Sequence, residues 1–155
     1  MKAAHNIGAL ALGVGLFALG YAQGADKAEH RRITAPDLAP RPGAPYSQAV
    51  MAGDLLYLSG NIGQDPVTSK VAPAFLDEAR QALDNQGRVL KAAGLGWEDV
   101  VKVNVYVKDM AHYDEFNSLY TKTLPSPYPA RTFLAVADIP WGGQVEIEVV
   151  AVRRH

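Results

Sequence analysis

Two short stretches carry residues whose chemistry is out of keeping with their surroundings. In YPARTFLAV, from Tyr128 to Val136, Arg131 stands between a Pro-Ala pair and a run that otherwise reads as a buried strand. A guanidinium in that place either sends its head to solvent or holds an anion, because its planar fork suits two parallel charge-assisted hydrogen bonds to a carboxylate. In VEIEVVAV, Glu146 and Glu148 are two residues apart, so both carboxylates lie on one face of a strand. A carboxylate can move protons, and either acid can equally be a solvated strand residue.

The residue types exclude other chemistry. There is no cysteine, which removes thiol catalysis, disulfides and thiolate metal sites. His112 lies in a polar stretch at a helix start and His155 is terminal, so neither is a ligand candidate, and no histidine and carboxylate cluster has metal spacing. A formal net charge of -1 gives no electrostatic footprint for nucleic acid, which is not expected as a partner.

The 155 residues, 48% hydrophobic and 20% charged, suit one globular domain preceded by two segments of different character. Lys2 followed by an apolar run from Ile7 to Leu19 has the length of a signal peptide rather than of a membrane-spanning helix. Small residues at Gly20 and Ala22 place cleavage after Ala22, with a less regular option after Gly24. Residues 1–22 are therefore read as a signal peptide, and the mature product as periplasmic or secreted, with no membrane association after cleavage. Residues 23–44, polar and rich in proline (APDLAPRPGAP), read as a flexible linker.

The domain is expected over residues 45–155. AVMAGDLLYLSG reads as a hairpin turning at Gly53-Asp54. A long helix follows, with Phe75, Ala79, Leu83, Gln86 or Val89, Leu90 and Ala93 at helical spacing and Gly94 as its stop. VVKVNVYVKD alternates, with Val101, Val103, Val105 and Val107 assigned to the buried face. Tyr113, Phe116, Leu119 and Tyr120 mark a shorter helix that ends before PSPYP, and two strands close the chain. The order ββαβαββ predicts an α+β domain: a mainly antiparallel or mixed sheet with both helices on one face. The uncovered face of the last strand, Glu146, Glu148, Val150 and Val152, is half apolar, which predicts an oligomer.

Several segments together resemble the RidA/YjgF family of enamine and imine deaminases. They are PYSQAV, LYLSGNIGQDP, VVKVNVYVKDM, FNSLY, YPART and VEIEVVAVRR, in that order across most of Pro45 to Arg154. The resemblance implies a chorismate-mutase-like fold, a homotrimer with sites between subunits, and cofactor-free hydrolysis of 2-aminoacrylate and related 2-imino acids to 2-keto acids and ammonia. It implies that Arg131 holds the substrate carboxylate, that Glu146 activates water, with Glu148 as its less direct neighbour, and that Tyr46 serves as a phenol. Ser59, Gly60, the Asn117 side chain and the main-chain carbonyl of Phe133 complete the implied pocket, with Arg131 facing Glu146 on a neighbouring strand across a shared cleft. Two residues depart from the family pattern: Asn61 replaces a usual glutamine, and Phe133 a frequent cysteine. The loop before Arg131 is also shorter than is usual there. The alternatives on the same fold are a non-catalytic binder of small carboxylates and an endoribonuclease, the latter poorly matched to a mildly acidic chain.

Overall fold

The computed structural model describes residues 30–38 and 43–155. The leader expected over residues 1–22, together with residues 23–29 and 39–42, lies outside them. The six strands are β1 (His30–Ile33), β2 (Ala49–Ala52), β3 (Leu55–Ile62), β4 (Val100–Val107), β5 (Ala130–Ala135) and β6 (Val145–Val152). Two helices, α1 (Phe75–Ala92) and α2 (Tyr113–Thr123), follow β3 and β4. The sheet order is β1-β2-β3-β6-β4-β5. All pairs are antiparallel except β4 with β5.

The connections explain the layering. Because β6 is antiparallel to both β3 and β4, those two strands run the same way, so β3-α1-β4 is a crossover, as is β4-α2-β5. Both crossovers step in the same direction along the sheet, and crossovers of the same hand place their helices on the same face. The expected α+β arrangement is therefore observed, as a mixed sheet.

β6 shows the resulting alternation directly. Val145, Ile147, Val149 and Ala151 are fully buried under the helices, while Glu146, Glu148, Val150 and Val152 turn to the uncovered face. Val103, Val105 and Val107 of β4 and Leu56 and Leu58 of β3 join the covered side. α1 meets them with Ala79, Ala82, Leu83, Val89 and Leu90. Its end is set by Gly94, whose φ of 76° lets the N–H groups of Gly94 and Leu95 turn back to the carbonyls of Lys91 and Leu90.

Two expectations are corrected. Val101 is 44% exposed, and Val100 takes the buried place, because a bulge between Val100 and Lys102 shifts the register against β6. The linker reading of residues 23–44 also fails where the chain is described: His30–Ile33 pairs along β2, and Ile33, Ala35 and Leu38 enter the core. The domain thus begins upstream of Pro45, with the order βββαβαββ. Gln48 holds this segment down, its Oε1 accepting from the Ala35 N–H at 2.6 Å and its Nε2 donating to the Leu38 carbonyl.

α1 also buries three polar side chains, Glu78, Asn85 and Gln86. The Glu78 carboxylate accepts from the Gln144 N–H at 2.9 and 3.1 Å, from the Gln144 side-chain amide at 3.0 Å and from the Val145 N–H at 3.3 Å. It fixes the point where the chain enters β6. Removing it strands buried donors, each costing about 1–3 kcal/mol. Glu78→Ala is therefore expected to lower unfolding stability by about 3 kcal/mol or more. Urea unfolding measures this, and a change below about 1 kcal/mol would show that water replaces the carboxylate.

Candidate active site

The site is built on an irregularity of the β3–β6 ladder. Leu58 pairs with Val149, but Asn61 pairs with Ile147, so β3 holds one residue too many at Ser59-Gly60. Such a bulge breaks the regular pairing of backbone groups, and α1 supplies substitutes. Gln86 Nε2 donates to the Ser59 carbonyl at 3.0 Å and to the Ile147 carbonyl, bridging both strands across the break. Asn85 Nδ2 donates to the carbonyls of Ile62 and Gln64 at 3.3 and 2.9 Å, which ties the end of β3 to the same helix.

Glu146 lies over this bulge. A methyl group built on Gly60 would come within 1.9 Å of its Oε1 and 2.8 Å of its carboxyl carbon, so only glycine leaves room for the carboxylate. Burial, followed by repulsion from Glu148, pushes the Glu146 carboxyl above the usual carboxylate range. The two acids differ in what they touch. Glu148 accepts from Asn104 Nδ2 at 3.1 Å and from the Tyr106 hydroxyl at 3.3 Å, whereas no described donor contacts the Glu146 carboxylate. The acid with an open acceptor and a raised pKa is Glu146, and it borders a cavity of about 300 Å³.

That cavity gathers Tyr46, Ser59, Gly60 and Glu146 from the expected site, with Asn61 beside them. Tyr46 is half exposed at its rim. Ser59 serves mainly as a clamp: its hydroxyl donates to the Ser47 carbonyl at 2.7 Å, its N–H to the Gln48 carbonyl at 2.9 Å, and its carbonyl accepts from Gln86. The side chains of Gln48, Glu78, Asn85 and Gln86 that shape this region were not singled out as site residues. Buried polar positions on an otherwise apolar helix face are the signal that marks them.

Arg131, Asn117 and Phe133 lie elsewhere. β5 is separated from β6 by β4, so Arg131 and Glu146 are not on neighbouring strands. Their faces differ as well: Arg131 pairs with buried Val103 on the helix side, while Glu146 pairs with Tyr106 on the uncovered side. Within one chain the two cannot share a cleft.

Around Arg131 the setting is aromatic. Its guanidinium carbon is 4.8 Å from the ring centre of Tyr120 and 5.7 Å from those of Tyr113 and Phe133, and one terminal nitrogen donates to the Tyr113 hydroxyl at 3.5 Å. Arg131 makes no ion pair with any described residue. Rings stabilise a cation without neutralising it, which leaves its fork available to a carboxylate. Phe133 packs edge-on against Tyr113 at 5.0 Å and at a tilt against Phe116 at 5.4 Å, so its ring forms part of this cage. Asn117, one helical turn beyond Tyr113 on α2, falls on the same side. The Val136 N–H donates to the Val107 carbonyl, which by strand alternation turns the backbone groups of Arg131 and Phe133 to the open edge of the sheet. The Phe133 carbonyl is thus presented outward.

A mixed sheet with two crossover helices, a carboxylate seated on a bulge glycine and an aromatic-caged arginine at the sheet edge define a small α+β protein with two separate candidate sites. The sequence matches the family model Endoribonuclease L-PSP over residues 37–153. A 2-iminobutanoate/2-iminopropanoate deaminase of Capra hircus is 42% identical over 124 residues, spanning 79% of this chain and 90% of the relative. The Homo sapiens protein of that name is 40% identical over the same shares. Among solved structures, RidA from an Antarctic Psychrobacter superposes with a TM-score of 0.75 at 38% identity, covering 79% of this chain and 99% of the other. The YjgF product of E. coli superposes at 0.72 with 36% identity, covering 80% and 99%. The chain belongs to the Endoribonuclease L-PSP family, the group that includes RidA and YjgF.

The raised carboxyl of Glu146 has a consequence for stability. A carboxyl whose pKa is higher folded than unfolded costs stability at any pH where it is ionised in both states, and costs nothing below the unfolded value. Glu146→Gln should therefore raise the melting temperature at neutral pH. The gain should shrink as the pH falls through the folded value towards the ordinary glutamate pKa of about 4.3. Calorimetry across this range measures it, and a variant less stable than wild type at neutral pH would contradict the stated environment.

Proposed function

We propose that the protein is an imine deaminase that hydrolyses 2-imino acids, and their enamine tautomers such as 2-aminoacrylate, to 2-keto acids and ammonia. The observation that carries this reading is the Glu146 carboxylate, seated on Gly60 with a raised pKa and no donor among the described residues, in a chain whose caged arginine has no anionic partner among them either. Relatives at about 40% identity carry the deaminase name and support it.

The chemistry follows from these groups. The enamine gains a proton at its terminal carbon to become the iminium. Water then adds to the iminium carbon as Glu146 takes one of its protons, and Glu146 returns this proton to the nitrogen. The tetrahedral adduct expels ammonia and leaves the keto group. A carboxyl held above its ordinary range exchanges protons more readily near neutral pH than a solvated one. Arg131 orients the substrate through its carboxylate, the Phe133 carbonyl accepts from the water or the leaving nitrogen, and the Tyr46 phenol and Asn117 amide line the approach.

The two half-sites lie on opposite faces of one sheet, so a complete site needs a second copy. We infer a homotrimer in which Arg131, Asn117 and Phe133 of one subunit meet Tyr46, Gly60 and Glu146 of the next. The uncovered sheet face supports such an assembly, with Tyr57 48% and Leu134 50% exposed among Val150, Val152 and Tyr106. The apolar leader supports export to the periplasm or beyond, and N-terminal sequencing of the native protein tests it: a start at Gln23 is expected, and an intact Met1 on soluble protein overturns it.

Arg131→Ala loses two charge-assisted hydrogen bonds of about 1.5–3 kcal/mol each, so kcat/KM on freshly generated 2-aminoacrylate should fall a hundredfold or more. Keto-acid release equal to wild type sinks the role of Arg131. Reassembling Arg131→Ala with Glu146→Gln subunits should restore about a quarter of the wild-type activity, because random mixing joins an intact half of each kind at that frequency. A mixture as inactive as its components would remove the intersubunit site.

A further inference from the structure

Of the three polar side chains that α1 buries, one is not fully satisfied. Glu78 places its carboxylate on the amides of Gln144 and Val145, and Asn85 uses both ends of its side chain, Oδ1 accepting from Gln81 at 2.9 Å while Nδ2 donates to two carbonyls. Gln86 has no exposed surface, yet its Oε1 is buried without a hydrogen-bond partner. An orphaned acceptor in the core costs stability, and methionine would fill the same space without one. The amide is therefore kept for its nitrogen.

The destination of that nitrogen is specific. A carboxamide nitrogen carries two hydrogens, and Gln86 Nε2 donates to the Ser59 carbonyl at 3.0 Å and to the Ile147 carbonyl. Ser59 is the residue before Gly60, and Ile147 is the residue after Glu146. One atom thus fixes the backbone on both sides of the contact between Gly60 and the Glu146 carboxylate. That contact is close, since a Cβ at position 60 would lie 1.9 Å from the carboxylate oxygen. Gln86 lines no part of the cavity, so it acts from behind the bulge without touching substrate.

We propose that Gln86 is a positioning residue for the deaminase reaction, holding the Ser59-Gly60 bulge in register so that the Glu146 carboxylate keeps its seat beside the cavity. The kinetic consequence rests on the deaminase reading, whereas the coupling of Gln86 to Glu146 does not. Misplacing a reacting group by about 1 Å costs on the order of a hundredfold in rate. A relaxed bulge also admits water to the carboxylate and weakens the burial that holds its pKa up. The titratable groups facing Glu146 are Glu148 on its own strand, Tyr106 opposite on β4, and Tyr46 and Asp65 around the cavity. Gln86 hydrogen-bonds to none of them, so its effect on Glu146 is transmitted by the backbone.

The test uses the full chain and Gln86→Met, which keeps the length of the side chain and removes its donors. On freshly generated 2-aminoacrylate, kcat should fall at least about tenfold while KM stays within about twofold, because Arg131 is untouched. The acid limb of the pH–rate profile should move to lower pH, towards the ordinary glutamate value. Leu90→Ala, a core truncation on the same helix, should leave kcat and the acid limb at wild-type values. A cycle of melting temperatures needs no activity: the gain from Glu146→Gln at neutral pH should fall to less than half in the Gln86→Met background. Should Gln86→Met fail to fold, Gln86→Asn, whose amide is drawn back by one methylene, is read in the same way. An additive cycle, kinetics equal to wild type, or equal losses in Leu90→Ala overturns the inference and leaves the deaminase reading standing. If wild type accelerates the reaction no more than Glu146→Gln does, the deaminase reading falls, and the cycle alone decides whether Gln86 positions Glu146.

Discussion

Gln86 reaching from α1 into the break between β3 and β6 is the contact on which the site depends. An extra residue at Ser59-Gly60 interrupts the ladder, and a break in the middle of a sheet leaves backbone carbonyls without partners where water has no access. One buried amide accepts that burden from both strands. With the bulge secured, Gly60 can stand under Glu146, and the carboxylate occupies the volume where any other residue would place its Cβ.

The same helix organises a larger region through its polar residues. Glu78 gathers the amides at the entrance to β6, Asn85 holds the exit of β3, and Gln86 spans the two. They lie along one side of α1 at the helical steps expected of a packed face, although the partners are backbone groups rather than apolar side chains. The close approach of α1 to the loop after β3 requires glycine at position 63, where a Cβ would meet the Glu78 carbonyl oxygen at 1.9 Å. A helix used in this way positions the candidate site without supplying any of the groups proposed to do its chemistry.

The arginine half of the site follows a different physical logic. Arg131 is partly shielded from water by Tyr113, Tyr120 and Phe133, and rings compensate a cation only in part. Phe133, which departs from the family pattern, is absorbed into this cage by packing against Tyr113 and Phe116. Its ring changes the support of the guanidinium more than the backbone carbonyl that the strand edge presents. Because Arg131 and Glu146 lie on opposite faces of one sheet, the proposed reaction ties function to assembly.

Much of the fold was legible in residue order because it is local. The 3.6-residue period of α1, the Gly94 stop, the Gly53-Asp54 turn and the strict alternation of β6 all express interactions between residues close in sequence. Arg131 and Glu146 stood out by type and surroundings. Strand pairing did not, since it joins residues far apart: nothing local says that β6 inserts between β3 and β4, or that β5 runs parallel to β4. The single-residue bulges were equally hidden, and one of them turned Val101 outward. β1 escaped notice because three of its four residues are exposed and polar, so its place is set by pairing with β2. Sequence alone singled out the side chains proposed to carry the chemistry. Only the tertiary structure decided that Glu146 and Arg131 face opposite ways, because side-chain direction in a sheet depends on register, and register is a long-range property.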